Sequence, residues 1–167
     1  MTGAKKSADY MRQDRRDRML RELDHDPYHS KLKIKEPNAC PECGAVFLHG
    51  RWSWQEAPAG AHTKLCPACQ RIKDRVQAAF LTLSGEYLPA HRDEIEHLIH
   101  NYEKRERSEH PLKRIMGSEE SEEGLVFSFT DAHLARGIGE ALQHAYDGEL
   151  DYQYTKEDIM LRVSWSR

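Results

Sequence analysis

Hydrophobic and polar positions alternate with a period of two near the C-terminal end of the sequence. Leu161, Val163 and Trp165 are separated by polar residues, and residues 150–154 follow the same rule. Such alternation is typical of strands that bury one face and expose the other to water. The pattern therefore predicts a β-hairpin made of residues 150–154 and 159–165, joined by a polar turn.

Two other stretches repeat their apolar residues at helical spacing. One helix is predicted from Pro89 to about Glu109. Another is predicted from Thr130, a favourable N-cap residue, to Gly148, which suits the position after the last turn. Each has one apolar face: Leu88, Ile95, Leu98, Ile99 and Tyr102 in the first, and Leu134, Ile138, Leu142 and Ala145 in the second. Both helices are therefore predicted to be amphipathic and to bury only that face.

The remaining apolar segments are short and predict strands. Residues 80–85, 112–116 and 125–129 contain most of the other apolar residues of the second half of the chain. Residues 117–124 are mostly acids and serines and are predicted to form a loop. With the second helix and the C-terminal hairpin, residues 111–167 have the order β-β-α-β-β, which predicts a two-layer sandwich in an α+β protein.

All four cysteines of the chain occur in two Cys-x-x-Cys pairs. Cys40 and Cys43 form the first pair and Cys66 and Cys69 the second, with 22 residues between the pairs. Each pair places two sulfurs on one tight turn, and two such turns supply the four tetrahedral thiolates of a structural zinc site. The spacing therefore predicts a zinc ribbon with Zn²⁺ as its cofactor. A disulfide or a redox dithiol is the alternative, because Cys-x-x-Cys also serves thiol exchange.

The ribbon is the second of four predicted segments. Within it, residues 45–48 and 51–54 are predicted to form a hairpin around His49 and Gly50, and a helix is predicted to begin after Cys69. The four segments are a basic, partly helical arm (1–36), the zinc ribbon (37–75), a helical linker made of a strand and an amphipathic helix (76–110), and a small α/β domain (111–167).

Composition limits the classes of protein that the sequence can encode. The chain has 167 residues, of which 38% are hydrophobic and 32% charged. Its longest apolar runs span only a few residues, and residues 1–6 lead into polar sequence rather than an apolar signal core. We therefore expect small modules in a cytoplasmic protein without a membrane partner. Reduced thiols in that compartment favour metal binding over disulfides.

Charge is distributed unevenly along the chain. Residues 1–75 carry 15 Lys/Arg and 10 Asp/Glu, whereas residues 76–167 carry 10 and 18. The basic excess coincides with the arm and the ribbon. This coincidence predicts that residues 1–75 bind a polyanion and that the acidic residues 76–167 face solvent or a partner. Ordinary charge scatter is the alternative.

The arm and the ribbon together supply the residues of a predicted nucleic-acid surface. Trp52 and Trp54 alternate on a predicted strand, so one can stack on an unpaired base while the other packs against the zinc core. The alternatives are a structural role for both tryptophans and a solvated arm without a role. The cations would contact phosphates and make affinity depend on salt. They are Arg12, Arg15, Arg16, Arg18, Arg21, Lys31, Lys33 and Lys35 in the arm, and Arg51, Arg71, Lys73 and Arg75 in the ribbon.

The sequence contains no convincing enzyme signature, and no catalytic residue is predicted. His97 and His100 are one helical turn apart but lack the partners of a catalytic or zinc-protease site. The stretch Gly137-Ile138-Gly139 lies inside a predicted helix rather than after a strand, so it is not a phosphate-binding loop. These glycines instead predict close packing of the helix on the sheet.

Parts of the chain resemble known families. Cys-Pro-Glu-Cys-Gly at residues 40–44, with Gly-Arg-Trp at residues 50–52, resembles part of the zinc region of the large-ribosomal-subunit export adaptor, the nonsense-mediated-decay protein 3 family. Residues 124–167 are similar to a small α/β domain of that family. The overall pattern, including residues 134–136 and 146–150, more closely resembles a family of small bacterial zinc-ribbon proteins. The adaptors have two zinc sites, whereas this chain has one set of four cysteines. The resemblance implies binding to the large ribosomal subunit or its RNA rather than nuclear export.

These observations predict a cytoplasmic, non-enzymatic protein that binds zinc and associates with the ribosome, through the large subunit or its rRNA. Assembly, quality control and dormancy are all compatible roles. The acidic C-terminal domain would fill space or contact a ribosomal protein. A zinc-ribbon transcriptional regulator that binds DNA is the alternative, although the chain lacks a recognition helix rich in Arg, Asn and Gln. A zinc-dependent enzyme or redox protein is a third hypothesis.

Overall fold

The computed structural model describes residue 28 and residues 34–155 and 160–167. The predicted helix of the arm lies outside these residues, as do all of the arm's predicted phosphate contacts except Lys35. The polar turn predicted between the last two strands also falls largely outside them. The described residues contain the four cysteines and every other predicted strand and helix.

The described chain is α+β, as predicted, with two mixed sheets and three helices. The strands of the ribbon are very short, and the helices and strands that follow the ribbon are longer. In chain order they are β1 (Asn38–Ala39), β2 (Val46–Leu48), β3 (Arg51–Ser53), β4 (His62–Thr63), α1 (Pro67–Asp74), β5 (Ala79–Ser84), α2 (Tyr87–Glu109), β6 (Ile115–Ser121), β7 (Gly124–Phe129), α3 (Ala132–Tyr146), β8 (Glu149–Thr155) and β9 (Met160–Ser166).

The smaller sheet lies in the ribbon and has the strand order β3-β2-β1-β4. The predicted hairpin is present as β2 and β3, which pair antiparallel. His49 and Gly50 form its turn with φ values of 53° and 76°, and two positive φ values match the twist of the flanking strands. The carboxylate of Glu36 accepts hydrogen bonds from both turn amides, at 2.9 and 3.0 Å. The turn is therefore fixed by a side chain from the preceding segment.

The larger sheet has the strand order β6-β7-β5-β9-β8. Residues 111–167 contain β6, β7, α3, β8 and β9 in chain order, but β5, which was predicted to belong to the helical linker, is the central strand of the sheet. It pairs antiparallel with β7 and parallel with β9. The sandwich therefore has five strands rather than four, because the alternating burial of β5 supplies Leu81 and Leu83 to the same apolar layer as Phe127, Val163 and Trp165.

Helices α2 and α3 form the second layer of this unit. Ile95 and Ile99 of α2 are buried, as are Leu134, Ile138 and Leu142 of α3. All five belong to the apolar cluster that also contains the inward residues of the sheet. The predicted apolar faces are thus confirmed, except that Ala145 is exposed at the end of α3.

Three predicted helix starts differ from the structure by a few residues. α1 begins at Pro67 rather than after Cys69, because Cys66 is its N-cap. α2 begins two residues before Pro89 and has non-helical backbone angles at His91. The N-cap of α3 is Asp131, whose carboxylate accepts a hydrogen bond of 2.9 Å from the amide of Leu134. In α1 and α3 the side chain of the N-cap residue accepts a hydrogen bond from a free amide of the first turn, whereas the N-cap residue of α2, Glu86, makes no such bond.

Thr130 is not the predicted helix cap; it is a buried residue that hydrogen-bonds the segment before β6. Its hydroxyl donates to the carbonyl of Leu112 at 2.7 Å and accepts from the amide of Arg114 at 2.9 Å. The amide of Thr130 also donates to the carbonyl of Arg114, at 3.0 Å. Thr130 therefore connects the segment that precedes β6 to the end of β7.

The predicted loop at residues 117–124 is largely strand. β6 continues to Ser121, and only the two following residues turn before β7. Residues 117–121 are all exposed because β6 lies at the edge of the sheet, so their polarity did not indicate a strand. Acidic side chains on an edge strand discourage pairing with another chain.

The two glycines inside α3 allow close contact with neighbouring elements, but only Gly139 packs on the sheet, as was predicted for both. A Cβ added at Gly139 would lie 2.9 Å from side-chain carbons of both Leu150 and Val163 on the sheet. A Cβ at Gly137 would lie 2.3 Å from the hydroxyl of Tyr102 on α2. Gly139 therefore brings α3 onto the sheet, whereas Gly137 brings it onto α2.

Candidate metal centre

The four cysteines converge on one site between the two Cys-x-x-Cys turns. Their Sγ atoms all lie within 4.8 Å of one another. Cys40, Cys66 and Cys69 are buried, and Cys43 is half-buried. Among the described residues this is the one group of His, Cys, Asp or Glu side chains arranged to hold a metal ion. The predicted ligand set is therefore brought together by the fold.

Two different turns position the sulfurs. In the first, the amide of Cys40 donates to the carbonyl of Ala45 at 2.8 Å, and Gly44 closes the turn with a φ of 79°. In the second, Cys66 caps α1, and its sulfur accepts a hydrogen bond of 3.3 Å from the amide of Cys69. An amide donor of this kind orients the sulfur and moderates its charge once it is ionised.

The spacing of the sulfurs fits a tetrahedral metal site. Cys43 Sγ and Cys66 Sγ lie 3.8 Å apart, and a tetrahedron with metal–sulfur bonds of about 2.3 Å has edges of about 3.8 Å. A disulfide would bring its two sulfurs to about 2.05 Å, and all four cysteines are free. The donor set therefore suits a divalent thiophilic ion held by four cysteines.

Arg114 also belongs to this site, although it was not among the predicted site residues. Its guanidinium donates to Cys69 Sγ at 3.1 Å and to Cys66 Sγ at 3.5 Å, while its Nε donates to the carbonyl of Pro111 at 2.8 Å. The residue is only 5% exposed. The available signal was an arginine inside an apolar, strand-like segment, which does not by itself indicate a distant sulfur as its partner.

Burial and hydrogen bonds shift the pKa values of Cys40, Cys66 and Cys69 in opposite directions. Burial raises the pKa of Cys66, which the nearby sulfurs raise further, and it raises the pKa of Cys69 despite the opposing effect of Arg114. Burial also disfavours the thiolate of Cys40, but amide and thiol donors outweigh that effect and lower its pKa to about 7. Burial alone would lower the pKa of Arg114, but the surrounding sulfurs, first of all its hydrogen-bonded partner Cys69, raise it, so the guanidinium stays charged.

Metal binding is expected to release protons and to tighten as pH rises. Ligation requires thiolates, whereas the raised pKa values of Cys66 and Cys69 keep both thiols protonated at neutral pH in the metal-free protein. The Kd should therefore fall about tenfold per pH unit for each proton released. Chelator-competition titrations at several pH values, with proton release measured in weak buffer, check this. A Kd that does not change with pH would contradict it.

The predicted phosphate-binding cations of the ribbon, and Lys35 at the end of the arm, have different environments. Lys35, Arg51, Lys73 and Arg75 are exposed. Arg71 is only 6% exposed; its guanidinium donates to the carbonyl of Val76 at 3.2 Å and lies 4.3 Å from the ring centroid of Tyr28. The structure therefore gives Arg71 a packing role and leaves the other four at the surface.

The two ribbon tryptophans also differ. Trp52 is half-buried, packs against the cysteine cluster and lies 5.3 Å from the ring of Phe47. Trp54 is 38% exposed, but its indole N–H donates to the carbonyl of Arg107 in α2 at 2.6 Å. Trp54 therefore links the ribbon to α2, and Trp52 is the tryptophan whose ring packs against the cysteine cluster.

A groove of about 800 Å³ separates the ribbon hairpin from residues 110–113. Phe47, Trp52 and Arg51 line one side, and His110 and residues 111–113 line the other. Two aromatic rings, several cationic or titratable side chains and the carboxylates of Glu36 and Asp131 thus line one cleft beside the cysteine cluster.

Comparison with known proteins assigns no family to this chain. No protein-family model, no curated protein and no solved structure matches it. The resemblance to the export adaptors therefore stays a prediction. Among the helices of the described residues, none combines the length and apolar character needed to cross a membrane. The cysteine cluster and the groove beside it are the features of the described surface that indicate a function.

Proposed function

We propose that the protein is a non-enzymatic, zinc-binding protein that associates with the ribosome by binding rRNA, with the large subunit as the favoured partner. The observation that carries this proposal is the aromatic and cationic groove beside the cysteine cluster. The zinc ion would hold the ribbon rigid, and the ribbon would present one wall of the groove to RNA.

Zinc is proposed because of the ligand chemistry. Four thiolates at tetrahedral spacing are typical of structural zinc sites, which use every coordination position for protein ligands. Cys40, Cys43, Cys66 and Cys69 would be those ligands. A site closed in this way leaves no position for a substrate or an activated water, which supports a structural rather than a catalytic role.

RNA is proposed because of the composition of the groove. Unpaired bases stack on aromatic rings, and phosphates pair with nearby cations. Phe47 and Trp52 provide the rings, and the exposed guanidinium of Arg51 lies on the same side of the cleft. Double-stranded nucleic acid has its bases stacked inside the helix, so this arrangement suits an RNA loop or single strand better than a duplex.

Other exposed cations of the ribbon and of the end of the arm would add phosphate contacts. They are Lys35, Lys64, Lys73 and Arg75. The arm contributes more cations in sequence, so affinity is expected to depend strongly on salt. Sucrose-gradient sedimentation of a cell lysate tests the association: the protein should move with the large subunit at low salt and return to the top fractions at high salt. Sedimentation with free proteins at low salt, during both growth and starvation, would overturn the proposal.

Replacing Arg51 by glutamine is expected to weaken RNA binding and to flatten its salt dependence. Loss of one phosphate contact should reduce the slope of log affinity against log salt by about 0.7 for a single strand. Fluorescence anisotropy with a short unstructured RNA at several salt concentrations measures both quantities. Arg162→Gln, at an exposed site on the larger sheet, is the matched control and should change neither. Equal slopes for the two variants would exclude Arg51 from the interface, and preference for duplex DNA would favour the regulator hypothesis instead.

A further inference from the structure

Arg114 is a buried cation whose anionic partners come from the cysteine cluster. Its guanidinium contacts Cys66 Sγ, Cys69 Sγ and the carbonyl of Pro111, and no carboxylate of the described residues is among its contacts. A guanidinium that is 5% exposed and unpaired would be costly to bury. The sulfurs therefore provide the charge that makes burial of Arg114 favourable.

The charge of a loaded metal centre matches this partner. Four thiolates and one divalent cation carry a formal charge of −2, and Arg114 would compensate half of it. Hydrogen bonds from donors outside the ligand set hold the ligands in place and reduce the repulsion between them. Arg114 therefore has the position and the charge of a counter-ion to the metal–thiolate centre.

The backbone of Arg114 belongs to the other structural unit. It immediately precedes β6, and its amide and carbonyl are both tied to Thr130 at the end of β7. Leu112 from the same segment packs against the cysteine cluster. The side chain of Arg114 thus joins the metal site of the ribbon to the five-stranded sheet.

We propose that Arg114 couples occupancy of the metal site to docking of the ribbon on the five-stranded sheet. With the metal bound, the anionic centre holds the guanidinium and keeps the two units together. When the metal is removed, the guanidinium loses its fixed counter-charge and the segment at residues 110–114 loosens. The groove beside the site has one wall from each unit, so its shape depends on the metal whatever ligand the groove takes.

Hydrogen–deuterium exchange of the full chain, with and without a zinc chelator, tests the coupling directly in the wild-type protein. Chelation should increase exchange in the ribbon and also in residues 110–116, while β5 and β7 stay protected by the separate apolar cluster of the sheet. Unchanged exchange at residues 110–116 upon chelation would overturn the proposal. This measurement uses no RNA, so its outcome is independent of the proposed function.

Arg114→Met separates the charge from simple packing, because methionine keeps an apolar stem but cannot pair with the sulfurs. It should bind zinc about 10- to 100-fold more weakly than wild type in chelator competition, and residues 110–116 should exchange rapidly whether or not metal is present. Arg114→Lys, which keeps one positive charge but cannot bridge two sulfurs, should lie between the two.

Arg92→Met is the matched control for these measurements. Arg92 is an exposed arginine that contacts Glu96 and Glu120 on the surface, away from the cysteines. Its substitution should leave zinc affinity and the response of residues 110–116 unchanged. If Arg114→Met and Arg114→Lys bind zinc as tightly as Arg92→Met does, Arg114 is not the coupling residue.

Discussion

Replacing Cys66 by serine is expected to abolish metal binding and unfold the ribbon while the five-stranded sheet stays folded. Cys66 is fully buried and has three roles: a proposed metal ligand, the N-cap of α1 and a partner of Arg114. A serine hydroxyl is a poor zinc ligand, and the free energy of binding to a structural zinc site is largely folding free energy. The sheet has its own apolar cluster, separate from the one around the cysteines.

The measurement combines metal analysis with spectroscopy. Metal content should fall from about one ion per chain to near zero, while far-UV circular dichroism keeps most of the signal of α2 and α3. His62→Ser is the control: His62 is an exposed residue of the ribbon, and its loss should leave metal content unchanged. A Cys66→Ser protein that keeps both its metal and its ribbon protection would contradict a structural role for the site and favour a redox dithiol.

Many elements of the five-stranded unit were predictable because their buried residues recur at the regular spacing of a strand or a helix. Strict alternation in β9 and helical spacing in α3 reflect elements with one buried face and one solvated face. The clustering of the four cysteines was predictable for a related reason: the spacing within each Cys-x-x-Cys pair is local and places two sulfurs on one turn. In each of these cases the pattern and the structural feature that causes it lie within one short segment, so a single sequence is enough to predict the feature.

The features that sequence did not indicate depend on contacts between distant segments. β5 has a regular alternation, but its alternation does not show that it lies between β7 and β9. β6 is exposed on both faces over residues 117–121, so it carries no hydrophobic period. Arg114 meets its sulfur partners 45 and 48 residues away. No local pattern determines such partners, because they follow from how the two units pack together.

Two separate apolar clusters predict that the units lose stability independently. The larger cluster lies between the five-stranded sheet and the helices, and the smaller one surrounds the cysteines and includes Trp52 and Leu112. Leu112, Arg114 and the hydrogen bond from Trp54 to Arg107 connect the two units. We therefore expect damage to the sheet to reach the candidate metal site through such contacts, which makes a substitution deep in the sheet informative.

Replacing Trp165 by alanine is expected to lower the free energy of unfolding of the sheet unit by about 3–5 kcal/mol. Trp165 is fully buried on β9, where its ring lies against those of Tyr87 and Tyr146 and its indole N–H donates to the carbonyl of Asp147 at 2.8 Å. Alanine would leave a cavity among these rings and an unpaired carbonyl. Denaturant unfolding followed by circular dichroism should show a lower midpoint with an unchanged slope.

Trp165→Phe is the matched control, because phenylalanine keeps most of the apolar volume and loses only the hydrogen bond to Asp147. It should cost about 1–3 kcal/mol, clearly less than alanine. Zinc affinity of the folded protein should stay at the wild-type value in both variants, because Trp165 belongs to the larger cluster and not to the one around the cysteines. If zinc affinity instead falls in parallel with sheet stability, the two units form one cooperative structure and the metal site depends on the whole sheet rather than on Arg114.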